Sequence, residues 1–320
     1  MKKLSCSLVV PSFYYKNKAF DSLAIGNSKY LELKNELEKK HIKVYTNDIL
    51  DEEKADFSIH IDYNKPKSKK NYLIIIEPPI IIKENHNIKR LDEFNKVFTW
   101  NDDLVDNINI YKHQLSHDFL FNKNEGTKFP GGYCMIVSNK KSNKKNENYS
   151  FRKKIIKFYE SSNEKFDLFG KGWNKFTDSN IYINYIFKNF KVRPPMSYGG
   201  VIGNKHLVAS NYDFQFAIEN SKNINGYISE KLFDCFLSGN VPIYSGAKNI
   251  LKYIPKETFI NLDKFDSLQK AHEFISSLDQ KKIKQIKQNG YEFITGEKAM
   301  QFTPKYNAKL IAEIIHNDLQ

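Results

Sequence analysis

The sequence of 320 residues contains only three cysteines, Cys6, Cys134 and Cys235, and they lie far apart in apolar segments. An odd number of cysteines without CxxC spacing argues against a disulfide framework and against a cysteine zinc site. No apolar segment approaches the roughly 20 residues that a membrane-spanning helix needs. The apolar segment 4–10 is short and is followed by Pro11 without a small-residue cleavage site, which favours a first β-strand over a signal peptide. We therefore expect a cytoplasmic protein with reduced thiols.

Several nucleotide-binding signatures are also absent. The chain has no Gly-x-Gly-x-x-Gly and no Gly-x-x-x-x-Gly-Lys-Ser/Thr sequence. Hydride transfer with a dinucleotide and P-loop hydrolysis therefore lose support. There is no Asp-x-Asp pair, which is one common way of holding a metal ion on a nucleotide-sugar diphosphate. Asp102 and Asp103 are adjacent, and we predict a solvated turn there.

Acidic residues are too few to balance the basic ones. Lysine and arginine number 50 against 37 aspartates and glutamates, for a net charge of +13. Such a charge indicates an anionic partner, either nucleic acid, a membrane surface or a phosphorylated ligand. The lysines are spread over the whole chain, so a general compositional bias explains the charge equally well. Because basic residues are concentrated only at 140–157, we do not expect nucleic acid as a partner.

Predicted strands and helices alternate through the chain, which indicates an α/β fold with two Rossmann-like domains facing each other across a cleft. We predict an N-terminal domain over 1–125, a C-terminal domain over 126–300, and a C-terminal helix over 301–320 that could pack back on the first domain. The polar segment 121–132, with glycine and proline, is the predicted linker. The predicted strands span 5–10, 44–46, 57–61, 72–76, 97–100, 133–137, 166–169, 214–218, 241–244 and 259–262. The predicted helices span 29–40, 91–95, 150–160, 204–210, 229–238, 267–278, 281–294 and 306–316.

Polar side chains follow four of the predicted strands. The carboxyl ends of parallel strands line the ligand crevice of an open sheet, so these residues predict a site between the domains. The residues are Glu77, Ser138, Asn139, Lys171, Glu219 and Asn220.

The stretch 212–246 combines a strand, a turn-forming loop, a helix and a second strand. Ser229 is a plausible N-cap, with Glu230 and Lys231 in the first turn of the helix. Free N–H groups at the helix start and the Lys231 ammonium group suit a diphosphate, and a carboxylate beside them suits a ribose diol. From these residues alone, a dipole-favoured Glu230 and a solvated Lys231 are the more common explanation.

The same stretch closely resembles the signature of the α-1,3-fucosyltransferases of glycosyltransferase family 10. The matching positions are Phe216, Glu219, Asn220, Ser221, Tyr227, Ser229, Glu230, Lys231, Leu232, Gly239, Val241, Pro242 and Gly246. More loosely, residues 135–140, Arg152 and residues 166–172 resemble the start of the family's donor domain, and residues 259–279 resemble a later segment. The resemblance covers most of 133–280, whereas the N-terminal half matches weakly.

The resemblance implies a GT-B fold and an inverting, metal-independent transfer of fucose from GDP-fucose to a glycan hydroxyl, with no cofactor required. It implies α-1,3 transfer to a GlcNAc-type sugar of a surface polysaccharide or glycoconjugate. Glu230 would bind the ribose, Lys231 the diphosphate, and Asn220 and Tyr227 would line the donor pocket. For a second basic residue on the phosphates Arg193 is the candidate, with Lys191 or Lys171 as alternatives. The predicted donor-binding residues are Ser138, Asn139, Lys171, Arg193, Glu219, Asn220, Tyr227, Glu230 and Lys231.

Inversion needs a general base that takes the proton of the acceptor hydroxyl. The family has a Glu-x-Pro motif in the N-terminal half whose glutamate is proposed as that base, and here Glu77 precedes Pro78 and Pro79. The alternative is a strand-ending glutamate with a structural proline pair. Glu77 is the predicted catalytic base, and no metal ligands are predicted.

Two other functions compete with a fucosyltransferase. A GT-B transferase for another nucleotide sugar would share most of these features, and a basic nucleic-acid-binding protein would share the charge. The basic chain also suits peripheral contact with an anionic membrane or a lipid-linked glycan.

Overall fold

The computed structural model describes residues 3–24, 26–119, 131–187 and 189–320. The strands are β1 (Leu4–Val9), β2 (Ile42–Thr46), β3 (Phe57–Ile61), β4 (Asn71–Ile74), β5 (Lys96–Thr99), β6 (Ile110–Lys112), β7 (Tyr133–Ile136), β8 (Phe166–Phe169), β9 (Tyr198–Gly200), β10 (Phe214–Ile218), β11 (Val241–Ser245) and β12 (Ile260–Asn261). The α-helices are α1 (Ser28–Glu38), α2 (Ile88–Leu91), α3 (Tyr149–Glu160), α4 (Ile181–Ile186), α5 (Lys205–Ala209), α6 (Glu230–Leu237), α7 (Leu268–Ser276), α8 (Gln280–Thr295) and α9 (Pro304–Leu319). Short 3₁₀ helices span Ser12–Tyr14, Lys18–Phe20, Glu84–His86, Asp102–Leu104, Ile250–Lys252, Lys256–Thr258, Leu262–Lys264 and Glu297–Phe302.

The chain divides into two compact units, and the first consists of residues 1–118, 225–227 and 299–320. Its six strands form a parallel sheet in the order β2-β1-β3-β4-β5-β6. All five residues of β3 are buried. This burial explains the apolar sequence of β3, since a parallel sheet is covered on both faces.

The C-terminal helix α9 belongs to the first unit. Leu33 and Leu37 of α1 share one apolar core with Ile311 and Ile315 of α9. Near its end, Asp318 accepts hydrogen bonds from the Lys70 ammonium group at 2.8 Å and from the Tyr72 hydroxyl at 2.9 Å. The last helix therefore completes the core of the unit in which the chain begins.

The second unit consists of residues 119–224 and 228–298. Its parallel sheet has the order β12-β11-β10-β7-β8-β9, which is the Rossmann order 3-2-1-4-5-6 when strands are counted within the unit. The core joins Met135 of β7, Ile155 of α3, Phe216 of β10 and Ile243 of β11. The strand order reverses between β7 and β10, so the ligand crevice of this unit is expected at their carboxyl ends.

The predicted α/β class is confirmed, and β3, β8 and β10 begin and end at the predicted residues. The stretch predicted to be irregular before Arg193 instead contains α4, whose six residues are too few for a clear periodic pattern. The short strands β6 and β9 had no sequence signal because an edge strand of three residues carries little pattern. The predicted linker 121–132 lies, up to residue 130, outside the described residues, so the domain division stays a prediction.

Candidate functional site

A cavity of about 260 Å³ opens at the carboxyl ends of β7 and β10, at the switch point of the second unit. It is lined by Ile136, Val137, Ser138, Lys140, Arg152, Lys205, Gln215, Phe216, Asn220, Glu230, Lys231 and Asp234. Four predicted site residues, Ser138, Asn220, Glu230 and Lys231, are among them. The lining is mostly polar and carries four basic side chains against two acidic ones, which favours a ligand that combines negative charge with hydroxyl groups.

Glu219 lies beneath this cavity rather than on its wall. It is fully buried and accepts hydrogen bonds from the Ser229 N–H at 2.7 Å and from the Ser229 hydroxyl at 2.5 Å. Burial raises the pKa of the Glu219 carboxyl above its ordinary value, against the opposing effect of the Lys231 charge. Ser229 stands at the predicted N-cap position of α6, but its hydroxyl donates to Glu219 and makes no capping hydrogen bond to the helix backbone.

Lys231 is held between two carboxylates at the start of α6. Its ammonium group lies 3.6 Å from the Glu219 carboxylate, 3.1 Å from Glu230 Oε1 and 2.9 Å from the Ser229 hydroxyl oxygen. Burial opposes the charged form, but Glu230 and Glu219 together raise the pKa of Lys231 above its ordinary value. Lys231 thus presents a permanent positive charge to the cavity.

Gly246 leaves the space that the Glu219 side chain occupies. A Cβ at this position would come within 2.5 Å of Glu219 Cγ and of the Tyr244 hydroxyl oxygen. Only glycine fits there without displacing the carboxylate, so the glycine in this part of the motif is a steric requirement of the site.

Arg152 of α3 supplies a second buried positive charge. It is 3% exposed, and its Nη2 donates to the Ile218 carbonyl at 2.5 Å and to Asn220 Oδ1 at 2.9 Å. Asn220 is in turn fixed through its carbonyl, which accepts from the Asn148 N–H at 2.9 Å. Sequence reasoning noted Arg152 only as part of the resemblance and gave it no role, although its place in the helix after β7 was a signal.

The far end of the cavity contains an ion pair. Lys205 of α5 lies 2.6 Å from the carboxylate of Asp234, which stands one turn after Glu230 on α6. Burial raises the pKa of Asp234 to about 6, even though Lys205 lowers it. The buried side chain of Gln215 lines the same cavity, and its Oε1 has no hydrogen-bond partner. None of these three residues was predicted, because none belongs to the recognised motif.

Five predicted donor-binding residues do not line this cavity: Glu219, Tyr227, Asn139, Lys171 and Arg193. Asn139 donates through Nδ2 to the Gly172 carbonyl and to the Thr177 hydroxyl, both at 3.1 Å. The side chains of Lys171 and Arg193 are exposed to solvent. Their roles stay predictions, and the structure points to Arg152 as the better-placed basic residue.

Tyr227 is a buried part of the first unit. Its ring lies 4.7 Å from that of Trp100, and a Cβ on the preceding Gly226, whose φ is +82°, would collide with the Trp100 carbonyl. This packing explains why glycine and an aromatic residue stand next to each other here. A donor-lining role for Tyr227 stays a prediction.

Glu77 of the first unit follows β4 in a firmly held stretch of backbone. Its N–H donates to Asp62 Oδ1 at 2.9 Å, and its carbonyl accepts from Asn85 Nδ2 at 3.1 Å. The neighbouring Ile76 carbonyl accepts from the Trp100 indole N–H at 3.0 Å. The Glu77 side chain is half-buried, so it is anchored at its backbone and retains access to solvent.

Within the described residues, no group of three or more histidine, cysteine, aspartate and glutamate side chains is arranged to hold a metal ion. The same residues include no helix whose length and apolar character would let it cross a membrane.

Solved structures with the same architecture are glycosyltransferases. The chain superposes on an α1,3-fucosyltransferase with GDP at a TM-score of 0.59 and 14% identity, over 100% of this chain and 93% of the other. It superposes on Anabaena HepE in complex with UDP-glucose at a TM-score of 0.60 and 8% identity, over 98% and 100% of the two chains. Fold and cavity together define a GT-B protein with a charged pocket at the switch point of its second unit.

The sequence comparisons narrow this class. The family model for the C-terminal part of glycosyltransferase family 10 (fucosyltransferase) matches residues 130–288, about half of the chain. The chain belongs to this family.

Curated relatives match between 73 and 113 residues of the chain. The α-(1,4)-fucosyltransferase of Arabidopsis thaliana is 40% identical over 73 residues, which are 23% of this chain and 18% of the relative. The α-(1,3)-fucosyltransferase FucT of Helicobacter pylori is 30% identical over 105 residues, 33% of this chain and 21% of the relative. The mouse 4-galactosyl-N-acetylglucosaminide 3-α-L-fucosyltransferase 9 is 29% identical over 113 residues, 34% and 31% of the two chains. The chain thus matches only 18% to 31% of the length of these relatives.

Proposed function

We propose that this chain transfers L-fucose from GDP-fucose to a hydroxyl group of a glycan acceptor, with inversion at the anomeric carbon and without a metal ion. The observation that carries the proposal is the convergence of Arg152, Lys231 and Glu230 on one cavity at the switch point. For the linkage and acceptor, we propose α-1,3 transfer to a GlcNAc-type sugar. The names of the H. pylori and mouse relatives favour the α-1,3 linkage, and the mouse name also favours the sugar, whereas the Arabidopsis name favours an α-1,4 linkage.

In this proposal Arg152 and Lys231 bind the diphosphate. The planar guanidinium group can donate two parallel hydrogen bonds to phosphate oxygens, and the ammonium group adds a point charge. The first-turn N–H groups of α6 point to the same region and contribute the positive end of the helix dipole. These groups stabilise the negative charge that grows on GDP as it leaves, a task that other transferases give to a metal ion.

Glu230 is the proposed ribose ligand. Its side chain is about half exposed and lies next to Lys231, so the carboxylate can accept hydrogen bonds from both hydroxyls of a ribose diol. Asn220 is fixed by Arg152 and by the Asn148 N–H. It holds the arginine in place at the cavity wall.

Asp234 and Lys205 are the proposed guanine ligands. Asp234 stands four residues after Glu230, so both carboxylates lie on the same face of α6. Guanine presents two adjacent donors, N1–H and the 2-amino group, which a carboxylate accepts together, and an O6 acceptor that suits an ammonium group. Uracil offers one donor between two acceptors and matches this pair less well. Gln215 Oε1 is a further acceptor in the same region.

Glu77 is the proposed base. The acceptor oxygen attacks the anomeric carbon of fucose while the bond from that carbon to the β-phosphate oxygen breaks, and GDP leaves with the electron pair. The proton of the acceptor hydroxyl passes to the Glu77 carboxylate. The Glu77 N–H donates to Asp62, and the Glu77 carbonyl accepts from Asn85. These two hydrogen bonds fix the position from which the side chain extends.

Nucleotide binding and transfer assays test the proposal. We expect GDP and GDP-fucose to raise the unfolding temperature, UDP and UDP-glucose to leave it unchanged, and a glycan array to report transfer from GDP-fucose. A GT-B transferase for another nucleotide sugar is the alternative, because HepE in complex with UDP-glucose has the same fold. Stabilisation by UDP without any effect of GDP would establish that alternative.

A further inference from the structure

The stretch from the end of β8 to the residue after β9 exposes a concentration of large apolar side chains. Of the twenty such side chains that the described residues expose, eight lie within residues 182–201. They are Tyr182, Ile183, Tyr185, Ile186, Phe187, Phe190, Met196 and Val201. Single exposed apolar residues are ordinary, but a concentration of them marks an interaction surface.

The backbone closes this segment into one excursion. Lys175 and Lys191 form an antiparallel bridge. Beside it the Phe176 N–H donates to the Phe190 carbonyl at 3.0 Å, and the Val192 N–H donates to the Asn174 carbonyl at 3.1 Å. Residues 174–192, here called the α4 excursion, therefore leave the unit and return to it at the same place, with α4 between the two ends.

Helix α4 carries apolar residues on its outer side. Its sequence, IYINYI, has no charged residue. Phe187, just past its end, is exposed, and its ring lies 5.3 Å from that of Phe176. Tyr182 and Ile186 lie four residues apart on one face and are 77% and 72% exposed. A surface helix normally directs polar residues to water, so this face is suited to a non-aqueous neighbour.

Basic residues outnumber acidic ones in and beside the α4 excursion. Residues 171–201 contain five basic residues and one acidic residue, Asp178, which pairs with Lys141 at 2.8 Å. Lys175 and Lys191 stand side by side at the base of the excursion, and both are exposed. Aromatic and aliphatic side chains beyond a base of two exposed lysines match the layered chemistry of a membrane surface, with acyl chains below anionic headgroups.

We propose that the α4 excursion inserts into the headgroup region of an anionic lipid bilayer and holds the protein at the membrane surface. A second copy of the chain is the less suitable occupant, because a two-fold contact through this tip would place the same basic residues opposite each other. The attachment does not depend on the transfer reaction, because none of the described residues in 174–187 and 189–192 lines the donor cavity.

Vesicle co-sedimentation tests the attachment. We expect the protein to bind vesicles of phosphatidylcholine with 30% phosphatidylglycerol and to bind pure phosphatidylcholine vesicles weakly. At high salt the protein should bind both kinds of vesicle equally weakly. The double variant Tyr182→Ser, Ile186→Ser should lower the partition coefficient roughly tenfold or more, because two large apolar side chains no longer enter the bilayer. The double variant Lys175→Gln, Lys191→Gln should lower it roughly 20-fold on anionic vesicles.

The matched control is Leu251→Ser, Tyr291→Ser, which removes one aliphatic and one tyrosine side chain that are about half exposed elsewhere in the second unit. It should bind vesicles as the unchanged protein does. A Tyr182→Trp variant should show fluorescence quenching by brominated lipids. Equal vesicle binding by the α4 variant and the control, or a dimer in solution that the α4 variant abolishes, would overturn the proposal. Undiminished stabilisation by GDP in the variants would show that the fold and donor cavity are intact.

Discussion

The ammonium group of Lys231 lies 3.6 Å from the carboxylate of Glu219, a residue fully buried beneath the cavity that Lys231 lines. The two parts of the motif, Glu219 and the pair of Glu230 and Lys231, therefore have different tasks. Glu219 is held by Ser229 and lies against Lys231, whereas Lys231 and Glu230 line the cavity. Glu219, which the sequence suggested as a donor-binding residue, is better described as the counter-charge that positions Lys231.

The first prediction concerns Lys231→Ala. Loss of a charged hydrogen bond to the diphosphate should weaken GDP binding by about 2 kcal/mol, measured by calorimetry. It also removes the partner of the buried Glu219 carboxylate, so the free energy of unfolding should fall. The exposed pair of Lys270 and Asp266 provides a control, and Lys270→Ala should change neither quantity by more than about 0.5 kcal/mol.

The same variant should show a pH signature. The pKa of Glu219 is raised in the folded state, so its ionised form destabilises the fold above that pKa, and stability recovers as the pH falls towards the ordinary value of a glutamate. Since Lys231 opposes this rise, Lys231→Ala should raise the pKa further. The stability deficit of the variant in urea unfolding should therefore be larger at pH 8 than at pH 5. An equal deficit at both pH values would show that the charge of Lys231 does not affect the pKa of Glu219.

The second prediction compares two arginines. Arg152→Met should weaken GDP binding at least tenfold, because the buried guanidinium group lines the cavity. Arg193→Met removes an exposed charge outside the cavity and should leave GDP affinity unchanged. The reverse result would restore Arg193 as the phosphate ligand. Thermal unfolding of both variants shows whether Arg152→Met acts through the fold, since its Nη2 also holds the Ile218 carbonyl.

The third prediction tests guanine recognition. Inosine diphosphate lacks only the 2-amino group of guanine, so the protein should bind GDP roughly tenfold more tightly than inosine diphosphate. Asp234→Asn should weaken GDP binding and reduce that preference to within about twofold. The pKa of Asp234 is about 6, and binding requires the carboxylate, so the preference should also fade as the pH drops below 6.

Asp266→Asn, an exposed acid of the same unit, is the matched control for this experiment. If Asp234→Asn keeps the full preference for GDP over inosine diphosphate, the proposal for guanine is wrong. The pair of Asp234 and Lys205 then only joins α5 to α6. Absence of GDP binding by the unchanged protein is a separate result, since it would contradict the proposed donor itself.

The fourth prediction concerns the base. Glu77→Gln keeps the backbone contacts of this residue and removes the proton acceptor, so kcat should fall by about 10²- to 10⁴-fold while the affinity for GDP-fucose stays the same. Glu84→Gln in the neighbouring 3₁₀ helix changes a glutamate of the same unit and should retain full activity. Full activity of Glu77→Gln would assign the proton transfer to another group.

The strands of the fold were predictable because parallel strands are buried on both faces and leave continuous apolar segments in the sequence. β10 is the clearest case, with five buried residues and bounds that match the prediction. Helix α4 was not predictable, because its apolar residues face solvent and contradict the pattern from which surface helices are inferred. Arg152 was given no role in the cavity because nearness along the chain is no guide to nearness across a sheet.

The sequence by itself determined the local chemistry of the site. Glu230 and Lys231 enter the first turn of α6 together because they are adjacent. Glycine is required at position 246 because a side chain there would collide with that of Glu219. Only the tertiary structure decided which distant groups join them. Arg152 reaches Asn220, 68 positions away, because β10 pairs with β7 at the point where the strand order reverses. The tertiary structure also buries the Glu219 carboxylate under Lys231 and brings Lys205 of α5 to Asp234 of α6.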